Sequence, residues 1–176
     1  MSARRWATGL GATGVLVATG SWVAWPATDV DARLWGEVRP VIEARLVADS
    51  AGTGYPYRGA RWFCRAEALD LDEHDGLVRA GVNTLCVEYG TRAGALVECS
   101  GAAIPQVVRL ERDTDGTYHV TSREEPPDGE GYGDWLNAHF GRTAEPSTAD
   151  SLDAAPLRSA ARTHFALPAN APVRDC

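Results

Sequence analysis

The chain has 176 residues, 44% of them hydrophobic and 23% charged, which suits one globular domain with appendages and excludes wholesale disorder. Its 17 basic residues are all arginine and are outnumbered by 24 acids, for a formal net charge of -7. That balance disfavours nucleic-acid binding, and the lack of lysine excludes a catalytic lysine and a P-loop.

The first charged residues are Arg4 and Arg5, and the next is Asp29, so Trp6 to Thr28 is an uncharged run. A basic start ahead of such a run is the layout of an export signal, whereas a buried core helix would not open on two arginines. Residues 1–27 therefore read as a signal peptide or a signal anchor. Ala24 and Ala27 are small enough to precede a cut, but Trp22 and Trp25 stand at the third positions before it. The preferred form is anchored, with the C-terminus outward. Losing residues 1–27 would remove two arginines and no acid, leaving the exported part more acidic still. Membrane contact is therefore expected only through the N-terminal segment.

A domain over 28–141 follows. Thr28-Asp29-Val30-Asp31 fits a capping box, and Leu34, Val38, Val41, Ile42 and Leu46 recur at helical spacing, predicting an amphipathic helix over 29–49 that Pro40 should kink or divide. Residues 51–57 form a loop by their Gly and Pro content; its Gly-Thr-Gly fails as a dinucleotide fingerprint because Tyr57 replaces the third glycine. After Gly59 the period becomes two, predicting strands at 61–71, 78–89, 95–101, 104–112 and 117–123. Turn chemistry separates them at 72–76, 91–94 and 113–116, and Pro105 marks a bulge or break. A short helix is expected at 132–140, with Trp135, Leu136 and Phe140 on one side. The predicted class is α+β: an N-terminal amphipathic helix packed on a four- to five-stranded antiparallel meander, with a short C-terminal helix. Residues 142–176 read as an Ala/Pro-rich tail, loosely packed, with a short helix near 151–165.

Four cysteines, Cys64, Cys86, Cys99 and Cys176, read as two disulfides on an exported chain. With a four-residue loop at Thr91–Gly94, Cys86 faces Cys99 across the hairpin, leaving Cys64 for Cys176 by elimination. No Cys-x-x-Cys occurs and the spacings do not suit zinc.

No Gly-x-Ser-x-Gly or His-Glu-x-x-His is present. Asp70, Asp72, Glu73, His74 and Asp75 have the side chains for a divalent-cation site, but such a run more often forms a solvated turn. His119 and His139 read as surface or packing residues rather than general bases. Tyr55, Tyr57, Tyr132 and Trp135 could line a recognition surface, against the more ordinary account of core and loop packing. No catalytic residue, metal or cofactor is assigned.

Cys86-Val87-Glu88-Tyr89, Ser100-Gly101, Ile104-Pro105, Val107-Val108-Arg109-Leu110, Asp115-Gly116-Thr117-Tyr118-His119-Val120, Glu125-Pro126-Pro127-Asp128-Gly129-Glu130-Gly131-Tyr132 and Phe140 follow one another in the stretch from Trp62 to Phe140. In order and spacing this stretch resembles an uncharacterised extracytoplasmic domain family of Gram-positive bacteria, similar to a domain attached to membrane metallopeptidases of the beta-lactam-sensor type. The resemblance covers under half of the chain. It implies an exported non-catalytic domain of cystatin-like or nuclear-transport-factor-like α+β shape. The peptidase activity of the larger relatives does not carry over, because their zinc motif is missing here. Such relatives tend to have Pro after the final Phe, where this chain has Gly141 and its tail.

The leading expectation is an extracytoplasmic binding or sensing module of the cell envelope, with a small ligand seated between the helix and the concave sheet face. The alternative is a structural or protein-interaction domain holding an envelope protein through exposed aromatics near Tyr55 and Tyr132. A metal-assisted hydrolase using His74 and its neighbouring acids ranks last. A reporter enzyme that works only outside the cytoplasm, fused behind residue 30, is expected to be active; retention of the reporter inside the cell would remove the export reading.

Overall fold

The computed structural model describes residues 30–54, 57–140 and 152–176. The 1–27 segment, Tyr55 and the domain boundary at 141–142 lie outside them. No helix among the described residues is long and apolar enough to cross a membrane.

Helix α1 (Ala32–Ser50) opens on Asp31, whose carboxylate accepts from the Arg33 and Leu34 N–H groups at 2.8 and 2.9 Å. Asp31 is thus the N-cap, later than the box beginning at Thr28 would place it. Contrary to expectation, Pro40 does not divide the helix. It lies on the solvent side with Gly36, so water can reach the carbonyl that the missing Pro40 N–H leaves unserved. The apolar stripe of Leu34, Val38, Ile42 and Leu46 is fully buried.

Strands β1 (Arg61–His74), β2 (Leu77–Arg92), β3 (Ala95–Arg112) and β4 (Tyr118–Glu124) form an antiparallel meander in chain order. Helices α2 (Gly131–Phe140) and α3 (Ala155–His164) follow, then β5 (Val173–Asp175), which pairs parallel to β3. The α+β class is as expected, but the strands expected at 95–101 and 104–112 are one. β3 passes straight through Pro105, which sits opposite Asn83. On the edge of β3 away from β2, β5 pairs only with Leu96–Glu98 and β4 only with Val107–Arg112. Pro105 falls between them, where that edge carries no strand ladder for a missing N–H to break.

The cysteines pair differently from the expected hairpin. Arg92 faces Ala95, so the β2–β3 turn is the two-residue Ala93-Gly94, both with positive φ (50° and 75°). Farther along, Tyr89 faces Glu98 but Glu88 faces Ser100, which leaves Cys99 as the extra residue of a bulge. Together these put Ala102 opposite Cys86. The partner of Cys86 is Cys64, directly across the β1–β2 ladder with Cα atoms 4.1 Å apart. Cys99 joins Cys176 beside β5, Cα–Cα 4.9 Å. Closing loops of 22 and 77 residues limits the unfolded chain by about 3 and about 4.5 kcal/mol in the chain-entropy treatment.

β2 is buried on both faces. Val78, Ala80, Val82 and Cys86 meet α1, with Val108, Leu110 and Tyr118 from the neighbouring strands. Val87 and Tyr89 on the opposite face meet Leu96 and the α3 residues Leu157 and Ala161. Phe63 joins this second core with Phe165 and Leu167. Residues 152–176 are therefore not the loose tail their composition suggests: helix, short strand and disulfide hold them to the sheet. Tyr89 is completely buried, and its hydroxyl has no hydrogen-bond partner among the described residues. Burial pushes its pKa up to about 12, with the Glu98 carboxylate adding to the effect.

An unfolded tyrosine titrates near pH 10, so the neutral Tyr89 contributes stability that is complete below that pH and lost as pH rises toward 12. Tyr89→Phe is expected to change stability at pH 7 by no more than about 1 kcal/mol, because the deleted hydroxyl makes no hydrogen bond of ordinary geometry and only lies near the Glu98 carboxylate and the Arg158 guanidinium. The variant should also lose less stability between pH 10 and 12, as read from urea midpoints at each pH.

Candidate functional site

The space between α1 and the sheet, expected to seat a ligand, is filled by the side chains of the first core. The hollow on this face lies just beyond the helix. After Ser50 the chain reverses through Gly52 and Gly54, both with φ 88°, to reach the start of β1 at Arg61. This reversal leaves an open recess of about 350 Å³ between the C-terminal end of α1 and the sheet, lined by Val47, Thr53, Tyr57, Trp62 and Glu88 among others.

Each wall is held by a specific contact. The Trp62 indole N–H donates to the Thr53 carbonyl at 3.3 Å, and the Tyr57 hydroxyl donates to the Thr91 carbonyl at 3.0 Å. Tyr57 packs against β2 at a point where residue 90 is glycine: a Cβ there would stand 2.6 Å from the Tyr57 ring. Glu88 continues the α1-facing series of β2 past the end of the helix and is only 6% exposed. A Cβ on Gly54 would come within 2.7 Å of both the Glu88 carboxylate and the Trp62 ring, so the loop closes over this pair only with glycine at 54.

A second hollow of about 350 Å³ lies at the far end of the sheet, around the β1–β2 turn. It includes Asp72, His74 and Asp75 but not a metal cluster. The side chains of His74 and Asp75 are 88% and 91% exposed. Strand alternation separates the remaining acids. Asp70 accepts from Arg79 and from the Gly81 N–H, while Glu73 accepts from the Tyr118 hydroxyl at 2.8 Å. Among the described residues, no group of three or more His, Cys, Asp and Glu side chains could hold a metal ion.

Trp135 and His139 form a third polar cluster on α2. Their rings stack with centroids 4.2 Å apart. The Trp135 indole donates to Glu124 at 3.2 Å and holds its carboxyl below the usual carboxylate range, with His139 and Arg109 adding to this. The two nitrogens of His139 face the Trp135 carbonyl at 2.8 Å and Glu124 at 3.1 Å. Both partners are acceptors, so a neutral imidazole donates to one of them and an imidazolium to both. His119 is exposed beside Asp113.

The aromatic residues singled out from the sequence therefore do not share one patch. Tyr57 lies over Gly90, whereas Trp135 is tied to Glu124, whose ladder leads through Val107 to Gly81. The two points are separated along β2 by roughly 30 Å at strand spacing. Tyr132 is 40% exposed on α2, and Tyr55 lies outside the described residues. All four named cysteines are disulfide-bonded. Glu88, Trp62 and Gly54, which shape the recess, were not among the candidate site residues read from the sequence. The clue for Glu88 was an acid at a core-facing position of an apolar strand.

Replacing Gly90 by Ala is expected to displace Tyr57 and destabilise the fold by about 1–3 kcal/mol, while Gly101→Ala, with its nearest neighbour at 3.4 Å, should be close to neutral. In the Tyr57→Ala background the Gly90→Ala penalty should shrink, which a double-mutant cycle in urea would read. Searched against protein-family models, curated proteins and solved structures, the chain matches none of them.

Proposed function

We propose that this chain is a non-catalytic binding module of the Gram-positive cell envelope, carried out of the cytoplasm by its first 27 residues. It binds its ligand in the recess beyond α1 rather than beneath the helix. The recess is the observation that carries the reading. Its ring walls are oriented by hydrogen bonds, its closest approaches are glycine-dependent, and it adjoins a core of buried apolar side chains. Two disulfides, one of them under the same sheet face, fit an extracytoplasmic location and give the surroundings of the recess a rigid frame. The sequence resemblance to extracytoplasmic Gram-positive domains belongs to the same reading.

Envelope extract, separated into small-molecule and protein fractions, provides the test when added to the oxidised, isotope-labelled protein. Backbone resonances of Thr53, Trp62, Glu88 and Gly90 are expected to shift with a small-molecule or peptide fraction. Shifts confined to α2 around Tyr132 would overturn the recess and favour a protein-holding role. Silence from every fraction would overturn binding altogether.

A further inference from the structure

The chemistry of the recess narrows what it takes. Along β2 the residues facing α1 are apolar from Val78 through Val82, and the same face ends on Glu88, an acid 6% exposed. Bringing a carboxylate to this depth costs solvation, which hydrogen-bond donors and cations offset. Glu88 has polar contacts already, and a carboxylate has room for several donors at once. Beside it stand Trp62 and Tyr57. Their own N–H and O–H donors are committed to the Thr53 and Thr91 carbonyls, so what these residues still offer a ligand is ring surface and the acceptor lone pairs of the Tyr57 hydroxyl. Ring faces attract cations and repel anions. The one cationic side chain of the lining, Arg61, donates to the Ala60 carbonyl.

A deep carboxylate, two oriented rings and a net charge of -7 act in the same direction, against the single charge of Arg61, an exposed residue at the edge of the lining that keeps its charge when it donates to a carbonyl. Resting on the binding role proposed above, we infer that the recess recognises an ammonium group, either on a small amine or at the tip of a basic side chain in a peptide. At about 350 Å³ the space is at the small end of ligand pockets and suits one alkylammonium arm rather than a large ring system.

The test titrates the intact, disulfide-bonded protein with n-butylammonium and tetramethylammonium, with n-butanol and butyrate as neutral and anionic controls, following the amide resonances of Thr53 and Gly90. Saturable shifts with the two cations and none with the controls are expected. Glu88→Gln should weaken them at least tenfold, and Trp62→Leu should do so independently if the first variant folds poorly. Nα-acetyl-lysine amide distinguishes the sources: tighter binding than n-butylammonium assigns the group to a peptide, weaker binding to a free amine. Equal shifts from butanol and n-butylammonium, or cation shifts that survive both substitutions, would overturn the inference. Shifts at Thr53 from butanol or butyrate alone would sink the ammonium assignment yet leave a binding recess standing. No shift from any probe, together with silence from every envelope fraction, would remove both.

Discussion

The burial of β2 on both of its faces is the constraint from which the rest of the molecule follows. A strand with Val78, Ala80 and Val82 on one side and Val87 and Tyr89 on the other cannot leave either side to water. An antiparallel sheet usually needs one cover, and this one needs two. Helix α1 supplies the first. Residues 152–176 supply the second, arriving after the meander is complete, and β3 is long enough to pair with β4 and β5 at its two ends. The recess is a by-product of the same demand. α1 covers its face only as far as the helix runs, and the sheet continues beyond it to Glu88 and Gly90.

Much of this was legible because it depends on periodicity. The three- and four-residue spacing of Leu34 to Leu46 specifies the face of α1, and alternation after Gly59 specifies the strands. What alternation cannot carry is an offset. One bulge residue at Cys99 and a turn of two residues instead of four were enough to exchange the disulfide partners. The turn was obscured because Ala93 takes a positive φ, which alanine rarely signals. Pro105 misled in the opposite direction. Proline argues against a strand interior only where its N–H side would pair, and the strand neighbours that decide this are not local in sequence.

The second cover was the larger miss, and its reason is compositional. Residues 142–176 are rich in Ala, Pro, Ser and Thr, which reads as a linker. Yet Leu157 and Ala161, one helical turn apart, suffice to dock α3. The need for that cover was written elsewhere, in β2, whose apolar residues fall on both sides of the strand: Val78, Ala80 and Val82 on one, Leu85, Val87 and Tyr89 on the other. The candidate site shows the same division. Tyr57 was visible as an aromatic residue in a loop, but its role depends on Gly90, thirty-odd positions away. Glu88 stood out only as a mismatch between an acid and its core-facing position. Residues 70–75 looked more like a site in one dimension than in three, because strand alternation turns Asp70 and Glu73 to opposite sides.

The two sulfur links differ in how far apart their ends lie, 22 residues against 77. For a polypeptide delivered outward in sequence order, Cys86 follows Cys64 closely and the first hairpin can seal early. Cys99 then emerges with no eligible thiol ahead of it and must wait for Cys176. On such a route the order of emergence would favour these partners over the nearer match of Cys86 with Cys99. The segment carrying α3 and β5 becomes the last to lock.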